Sequence, residues 1–160
     1  MRILGVDPGG GGALALLDIS GELLAVEDMP VFWVQRGKRE KPEVNAFGVI
    51  ALMDEWKPDV CWLEKVGGMT GESASAAFNF GRAAGVIEGV MKSKGIRFEE
   101  IAPQVWKVKM KIRGKDAARQ RASNLWIPWA PSFARKKDDG RAEASLIAEY
   151  GRLQLPSVLF

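Results

Sequence analysis

The sequence predicts a mixed α/β domain over residues 1–160, and two features of its hydrophobic pattern support this. Three short apolar segments separated by turn residues fill the first thirty positions, as expected for antiparallel strands joined by tight turns. Further on, stretches with helical spacing alternate with short apolar runs. A strand meander followed by helix, strand, helix, strand and helix is typical of a mixed sheet flanked by helices.

The first third of the chain contains the meander. Its predicted strands are Arg2–Val6, Ala13–Asp18 and Leu23–Met29. Asp-Pro and four glycines separate the first two strands, and Ser-Gly-Glu makes the second turn. Residues 31–42 are predicted to form a basic loop that carries Phe32 and Trp33.

The alternating elements occupy the rest of the chain. They are helix Glu43–Trp56, strand Asp59–Val66, helix Ser73–Lys92, strand Ile96–Ala102, and helices Lys115–Trp126 and Asp139–Leu153. The first helix ends before Pro58. The strand at 59–66 is almost continuously apolar, the pattern of a strand buried on both faces.

Composition excludes several kinds of chemistry. The chain has no histidine, which excludes a His-based general base, a Ser-His-Asp triad and a His/Cys zinc site. Its one cysteine, Cys61, excludes a disulfide framework and indicates a reducing compartment, so we expect a cytoplasmic protein. No apolar run approaches the roughly 18 residues of a membrane span. Hydrolysis would therefore depend on carboxylates, lysines, hydroxyls or a hard metal ion bound by oxygen.

The positive charge is concentrated in one segment. Between Lys107 and Lys137 there are ten basic residues and one acid, a local charge of +9, whereas the rest of the chain carries −6. Residues 36–41 add a smaller basic cluster of +3. Such segregation is typical of a surface that binds a polyanion, although a solvated basic helix would show the same pattern.

The glycine loop after Asp7 does not fit a nucleotide-binding motif. A Walker loop and a dinucleotide fingerprint both require a helix after the glycines, whereas Ala13–Asp18 reads as a strand, so no nucleotide cofactor is expected. A strand–Asp–glycine turn–strand unit resembles both the sugar-kinase and actin ATPases and the ribonuclease-H-like nucleases. The kinase folds need a second, similar half that 160 residues cannot supply. Alternatively, Asp7 only forms the turn before Pro8.

Three further acids occur beside core-type residues. Glu64 interrupts the buried strand at 59–66, where an ionised carboxylate is costly unless it pairs with a lysine or binds metal. Asp139 and Glu143 are four residues apart and so share a helix face, although the helix dipole alone would favour acids at 138 and 139. Together with Asp7, these acids predict an oxygen-lined site for Mg²⁺ or Mn²⁺ that cuts a nucleic-acid phosphodiester, with two ions about 4 Å apart.

Taken in order, five segments that cover most of the chain resemble RuvC-type Holliday junction resolvases, in particular their phage and prophage branch. The segments are ILGVDPG (3–9), VCWLEKV (60–66), AAFNFGRAAGVIEGV (76–90), APQVWKVKMKIRGKDAARQRASNLW (102–126) and DDGRAEASLIAEYG (138–151). The resemblance implies a ribonuclease-H-like fold with a five-stranded mixed sheet whose first three strands are antiparallel. It also implies a homodimer that makes paired nicks in four-way or branched DNA.

The resemblance assigns roles to individual residues. The metal ligands of the family fall on Asp7, Glu64 and Glu143, and its outer helix acid falls on Gly140, so the expected fourth ligand is Asp139, with Asp138 as the alternative. Lys107 and Lys115 match the basic residues that support the transition state. General DNA contacts are expected from Lys109, Lys111, Arg113, Arg119 and Arg121 in addition to these two lysines.

Two other features bear on DNA binding. Resolvases of this kind carry a wedge aromatic three residues after the strand glutamate, where this chain has Gly67, so Met69, Phe32 or Trp33 are the candidates to replace it. The small-residue helix at 73–92 matches the dimer helix of the family. Three other interpretations stay open: a catalytically weak junction-binding module, a ribonuclease-H-like enzyme acting on RNA, and a sugar-kinase-like phosphotransferase.

Overall fold

The computed structural model describes residues 1–67, 73–114 and 116–155. The strands are β1 (Arg2–Asp7), β2 (Ala13–Asp18), β3 (Leu23–Asp28), β4 (Val31–Arg36), β5 (Arg39–Val44), β6 (Val60–Glu64) and β7 (Arg97–Ile101). The helices are α1 (Ala46–Trp56), α2 (Ala74–Ser93), α3 (Pro103–Lys109), α4 (Ala117–Leu125) and α5 (Asp139–Gln154). Two 3-10 segments, Ile127–Phe133 and Lys136–Asp138, connect α4 to α5.

The central sheet has five strands in the order β3-β2-β1-β6-β7. The pairs β1–β2 and β2–β3 are antiparallel, whereas β1–β6 and β6–β7 are parallel. This arrangement confirms the predicted mixed sheet with an antiparallel meander as its first three strands. Among the described residues, no helix has the length and apolar character needed to cross a membrane.

Both faces of the sheet are covered, because the side chains of β1 alternate between two core layers. Ile3 points into a layer formed with α5, which also buries Trp106 and Phe133. Leu4 points into the opposite layer, beneath α1 and α2. The central strands are therefore buried on both sides, which explains their continuous apolar sequences.

Helix α5 lies directly against β1. A Cβ atom at Gly5 would be 2.1 Å from the carbonyl oxygen of Ala144 and 2.4 Å from the amide nitrogen of Ala148. Only a residue without a side chain permits this approach, so Gly5 sets the distance between strand and helix. The start of α5 is thereby held close to the carboxyl end of β1.

Residues 31–44 differ from the prediction. Instead of a loop they form a second, two-stranded sheet in which β4 pairs with β5, with Gly37 in the left-handed region at the turn. The first helix consequently begins later than predicted, at Ala46, where the Asn45 side chain accepts hydrogen bonds from the amides of Phe47 and Gly48. Glu43 belongs to β5 and not to the helix.

A short helix that the hydrophobic pattern did not predict, α3, follows β7. It begins at Pro103, a residue favoured at the first helical position because its fixed φ suits a helix and its missing N–H would be unpaired there. The next helix, α4, begins at Ala117, two residues later than predicted. Lys115 lies outside the described residues.

Candidate metal centre

Two of the predicted acids lie side by side at one edge of the central sheet. Strands β1 and β6 are parallel neighbours in which Val6 is opposite Leu63, and each strand ends at the next residue, Asp7 and Glu64 respectively. Because parallel strands end at the same edge, both carboxylates point to the same region. The predicted metal site requires these two strands to be neighbours, and they are.

The third acid comes from α5. Glu143 lies one residue before Ala144, whose backbone packs on Gly5, and this contact places the glutamate over the ends of β1 and β6. One carboxylate oxygen each from Asp7, Glu64 and Glu143 lies within 4.8 Å of the other two. Among the described residues, these three carboxylates lie close enough together to bind one metal ion.

Two adjacent residues of α3 complete the first layer of contacts. The indole Nε1 of the fully buried Trp106 donates a hydrogen bond to Oε2 of Glu64 at 2.6 Å. The Nζ atom of Lys107 lies 2.9 Å from Oε1 of Glu143. The sequence prediction did not include Trp106 as a site residue. The signal that could have indicated it is its position directly before the predicted site residue Lys107.

The electrostatics of the group favour a bound cation. Burial raises the pKa of Asp7 well above its usual value, and the nearby charges of Glu143 and Glu64 raise it further. Burial also raises the pKa of Glu64, although the hydrogen bond from Trp106 partly offsets this. Burial alone would lower the pKa of Lys107, but the hydrogen bond with Glu143 and the negative charges of Glu143, Glu64 and Asp7 together outweigh that effect, and the pKa is raised. Lys107 therefore stays charged, and one lysine faces three carboxylates.

The donor set fits a hard divalent ion. All the ligand atoms that converge here are carboxylate oxygens, which Mg²⁺ and Mn²⁺ prefer over the nitrogen and sulfur ligands of zinc sites. Asp7 and Glu64 line an open cleft of about 410 Å³ together with Pro8, Phe80, Gln104 and Lys107. A phosphate group that enters this cleft would meet the carboxylate group and the Lys107 ammonium together.

The structure does not bring Asp139 into this group. Its carboxylate pairs with the guanidinium of Arg119 at 2.8 Å, and its side chain is largely exposed. The alternative, Asp138, is buried and accepts hydrogen bonds from the side chain and the amide of Arg135. Each of the two carboxylates thus has an arginine partner and lies outside the group of three, and a fourth ligand at either position stays a prediction.

Position 140, where the family resemblance would place the outer acid, leaves no space for a side chain. A Cβ atom at Gly140 would lie 2.8 Å from the carbonyl oxygen of Gly11 and 3.0 Å from Cα of Gly12. The glycine loop after β1 thus packs directly on the first turn of α5. This contact accounts for glycine at that position.

The predicted DNA-contacting residues divide into two groups. Lys109, Lys111 and Arg113 are exposed and available to a ligand. Arg119 is instead occupied within the protein, since it contacts Asp116 and Asp139 and donates to the carbonyl of Ala134 at 3.0 Å. Its role as a general DNA contact stays a prediction. Lys115 and Met69 lie outside the described residues.

Comparison with solved structures places this fold in a known class. Thermus thermophilus RuvC in complex with a Holliday junction substrate superposes with a TM-score of 0.67 at 17% identity, covering 96% of each chain. The yeast mitochondrial Holliday junction resolvase Ydc2 superposes with a TM-score of 0.58 at 12% identity, covering 95% of this chain and 78% of the other. The fold is therefore ribonuclease-H-like.

Sequence comparison identifies the family within that class. A crossover junction endodeoxyribonuclease RuvC from Prochlorococcus marinus subsp. pastoris is 31% identical over 157 residues, which cover 92% of this chain and 94% of the relative. RuvC from Thermotoga petrophila is 28% identical over 135 residues, covering 78% and 76% respectively. No protein-family model matches the chain. The chain belongs to the RuvC family of crossover junction endodeoxyribonucleases.

Proposed function

We propose that this protein resolves four-way or branched DNA junctions by hydrolysing one phosphodiester in each of two opposed strands. The observation that carries the proposal is the convergence of Asp7, Glu64 and Glu143, which come from β1, β6 and α5 and whose oxygens approach within 4.8 Å. Membership of the RuvC family supplies the substrate class. Residues 1–160 act in this proposal as one nuclease domain.

Asp7, Glu64 and Glu143 are the proposed metal ligands, and Mg²⁺ is the proposed ion, with Mn²⁺ able to replace it. Two such ions per site, held by these carboxylates, would activate a water and stabilise the leaving oxygen. Trp106 holds the Glu64 carboxylate in place through its indole N–H. Lys107, which remains charged beside Glu143, adds positive charge where negative charge develops on the phosphate.

We further propose that the protein acts as a homodimer. On α2, the positions of Gly81, Gly85 and Gly89 recur every four residues and therefore share one face. A Cβ atom at any of these three positions would meet nothing within 4 Å. The glycines leave room for a second helix to approach closely, and a two-fold pair of subunits would match the two-fold symmetry of a four-way junction.

The remaining parts of the proposal concern cofactor and compartment. No nucleotide cofactor is required, since the loop after Asp7 leads into β2 and not into a helix. A cytoplasmic location fits Cys61, which is a free, buried thiol. The exposed cations Lys109, Lys111 and Arg113 are proposed to contact the DNA backbone, as is Lys115.

The test is a nicking assay on a synthetic mobile four-way junction. In Mg²⁺ or Mn²⁺ we expect symmetric nicks in two opposed strands, and none in EDTA. Asp7→Asn, Glu64→Gln and Glu143→Gln should each abolish cleavage and leave junction binding intact, since the basic surface is unchanged. A linear DNA duplex and an RNA–DNA hybrid serve as comparison substrates. Full cleavage by all three variants, or faster cleavage of the hybrid, would contradict the proposal.

A further inference from the structure

A second cavity lies beside the acidic cleft, between the β4–β5 hairpin and the amino-terminal half of α2. Its volume is about 320 Å³. The wall includes residues of the glycine loop, the hairpin and the helix, among them Gly9, Gly10, Arg36, Lys41, Asn79 and Arg82. Phe80 lines both this cavity and the acidic cleft, so the two are neighbours along one surface.

The hairpin is fixed relative to the acidic centre. A Cβ atom at Gly10 would lie 2.6 Å from Cγ of Pro42, so β5 packs closely on the loop that begins at Asp7. On the other side, the ring of Phe80 lies in contact with Gly9, where a Cβ atom would be 3.2 Å from Cε1. Because the hairpin and α2 both contact this loop, these contacts set the position of the cavity next to the carboxylates.

The cavity is positively charged. Lys41 has no carboxylate within ion-pair distance among the described parts of the chain, which leaves its ammonium free to bind a ligand. Arg36 and Arg82 approach from opposite walls and share one partner, Glu43, with the Arg82–Glu43 contact at 3.0 Å. Three cations and one carboxylate therefore line the cavity, a net charge of +2.

Exposed aromatic rings accompany these charges. Phe80, at the boundary between the two cavities, remains 45% exposed. Phe32 pairs with Glu43 across the hairpin and so lies on the same face of the ribbon, where it is 51% exposed. Cationic side chains that interleave with exposed aromatic rings are the features of a surface that binds single-stranded nucleic acid.

We propose that this cavity binds one unpaired DNA strand as it leaves the acidic centre. The backbone phosphates contact Lys41, Arg36 and Arg82, and a base stacks on Phe80. The inference deepens the proposed function on which it rests, since the strand is the one that carries the scissile phosphate. It gives the β4–β5 hairpin, which the sequence did not predict, a role in selecting strands that have left the duplex.

The dimensions favour a single strand as the occupant. A cavity of about 320 Å³ is in the range of small-ligand pockets, so it admits nucleotide units one at a time and not a stacked duplex. Positive charge alone would also suit double-stranded DNA, but a duplex would remain outside the space between hairpin and helix. Branched junctions offer unpaired strands at their centre, next to the bonds to be cut.

The experiment measures binding to a fluorescein-labelled oligothymidylate by anisotropy, in EDTA and over a series of salt concentrations. We expect Lys41→Gln and Arg82→Gln each to weaken binding about threefold to tenfold and to reduce the slope of log K against log salt by about 0.7, as for one lost phosphate contact. Glu43→Gln should have the opposite effect and strengthen binding, because it removes the negative charge and releases both arginines.

Arg97→Gln is the matched control. Arg97 is an exposed arginine at the start of β7, the opposite end of the sheet from the acids, and its removal should change neither affinity nor slope. Light scattering checks that the oligomeric state is the same in every variant. The inference is overturned if Lys41→Gln and Arg82→Gln bind like Arg97→Gln, or if Glu43→Gln weakens binding.

Junction nicking by the unaltered protein in Mg²⁺ separates this inference from the proposed function. If the protein nicks junctions and the cavity variants bind oligothymidylate normally, the inference alone fails. If the protein does not nick junctions while the cavity variants change binding as expected, the proposed function fails and the strand-binding cavity stands.

Discussion

The indole N–H of Trp106 donates to the Glu64 carboxylate at 2.6 Å, while the next residue, Lys107, contacts Glu143 at 2.9 Å. Two consecutive residues of α3 thus hold acids from β6 and α5. Because Trp106 is fully buried in the core layer beneath α5, the position of α3 is fixed by packing. The acidic centre is therefore supported by a helix that supplies none of its carboxylates.

Trp106→Phe keeps most of the buried ring but removes the N–H donor. Glu64 would lose the bond that orients it, and losses of this kind typically cost tenfold to 100-fold in metal affinity. We expect the affinity for Mn²⁺, measured by titration with electron paramagnetic resonance, to fall by such a factor. Trp126→Phe is the control, because buried Trp126 donates to the carbonyl of Gly21 and not to a carboxylate. Equal Mn²⁺ affinity in both variants would contradict the role of Trp106.

Lys107→Gln should separate metal binding from cleavage. Removal of the ammonium leaves the three carboxylates without their neighbouring cation, so divalent ions should bind more tightly. Nicking should nevertheless fall by about 10²–10³-fold, the usual cost of losing one electrostatic stabiliser of a transition state. Lys109→Gln, on the same helix but exposed, is the comparison: it should weaken junction binding but retain nearly full cleavage when the junction is saturating. Weaker metal binding by Lys107→Gln would show that the lysine instead supports the ligands.

Asp7→Asn should stabilise the metal-free protein. The pKa of Asp7 is raised by burial and by the other two acids, so the folded state binds its proton more tightly than the unfolded chain does. Stability from this group is therefore lost as the pH rises through the raised pKa, so above the ordinary aspartate pKa Asp7 makes the fold less stable than a neutral side chain would. We expect a higher Tm for Asp7→Asn in EDTA at pH 7.5, and a smaller increase in Tm on adding Mg²⁺ than in the unaltered protein.

Thermal melts over a pH series that rises from the ordinary aspartate pKa to pH 8 provide the check on that explanation. Without metal, the unaltered protein should lose stability across the series relative to Asp7→Asn. A lower Tm for Asp7→Asn in EDTA would mean that the carboxylate contributes stabilising contacts and that the centre is not strained by charge.

Gly140→Asp should not restore a fourth ligand. The new Cβ atom would lie 2.8 Å from the carbonyl oxygen of Gly11, and overpacking of this kind costs about 1–3 kcal/mol. We expect a reduced free energy of unfolding in urea and no gain in Mn²⁺ affinity. Gly140→Ala distinguishes the steric effect from the effect of the charge. This variant should also have a reduced free energy of unfolding, although alanine normally stabilises a helix relative to glycine. Tighter Mn²⁺ binding by Gly140→Asp would contradict this account.

The pair Asp7 and Glu64 was predictable because each acid ends an apolar run. Both strands are buried on two faces, so ionised carboxylates are tolerated only where the strands end. Because β1 and β6 are parallel neighbours, their two acids meet at one edge of the sheet. To predict Glu143 as a ligand, it was enough to assume that the helix after the loop with Pro128 and Pro131 returns to this edge. The close contact at Gly5, which sets that return, has no signature in the hydrophobic pattern.

The fourth ligand and the hairpin show where the sequence was insufficient. On a helix, residues 139 and 140 both lie near the face of Glu143, so the helical spacing alone does not give the direction of the Asp139 side chain. That direction depends on the ion pair with Arg119 and on the packing of the glycine loop against Gly140. The β4–β5 hairpin is mostly exposed, and a ribbon that buries neither face does not show the alternating pattern of a half-buried strand. Its basic residues therefore suggested a loop.

The central claim is that Asp7, Glu64 and Glu143 bind divalent metal together. The most direct measurement is anomalous diffraction from crystals of the unaltered protein grown with Mn²⁺. The account predicts an anomalous peak bounded by these three carboxylates, and its loss in Glu143→Gln crystals grown in the same way. A peak elsewhere, or an unchanged peak in the variant, would contradict it.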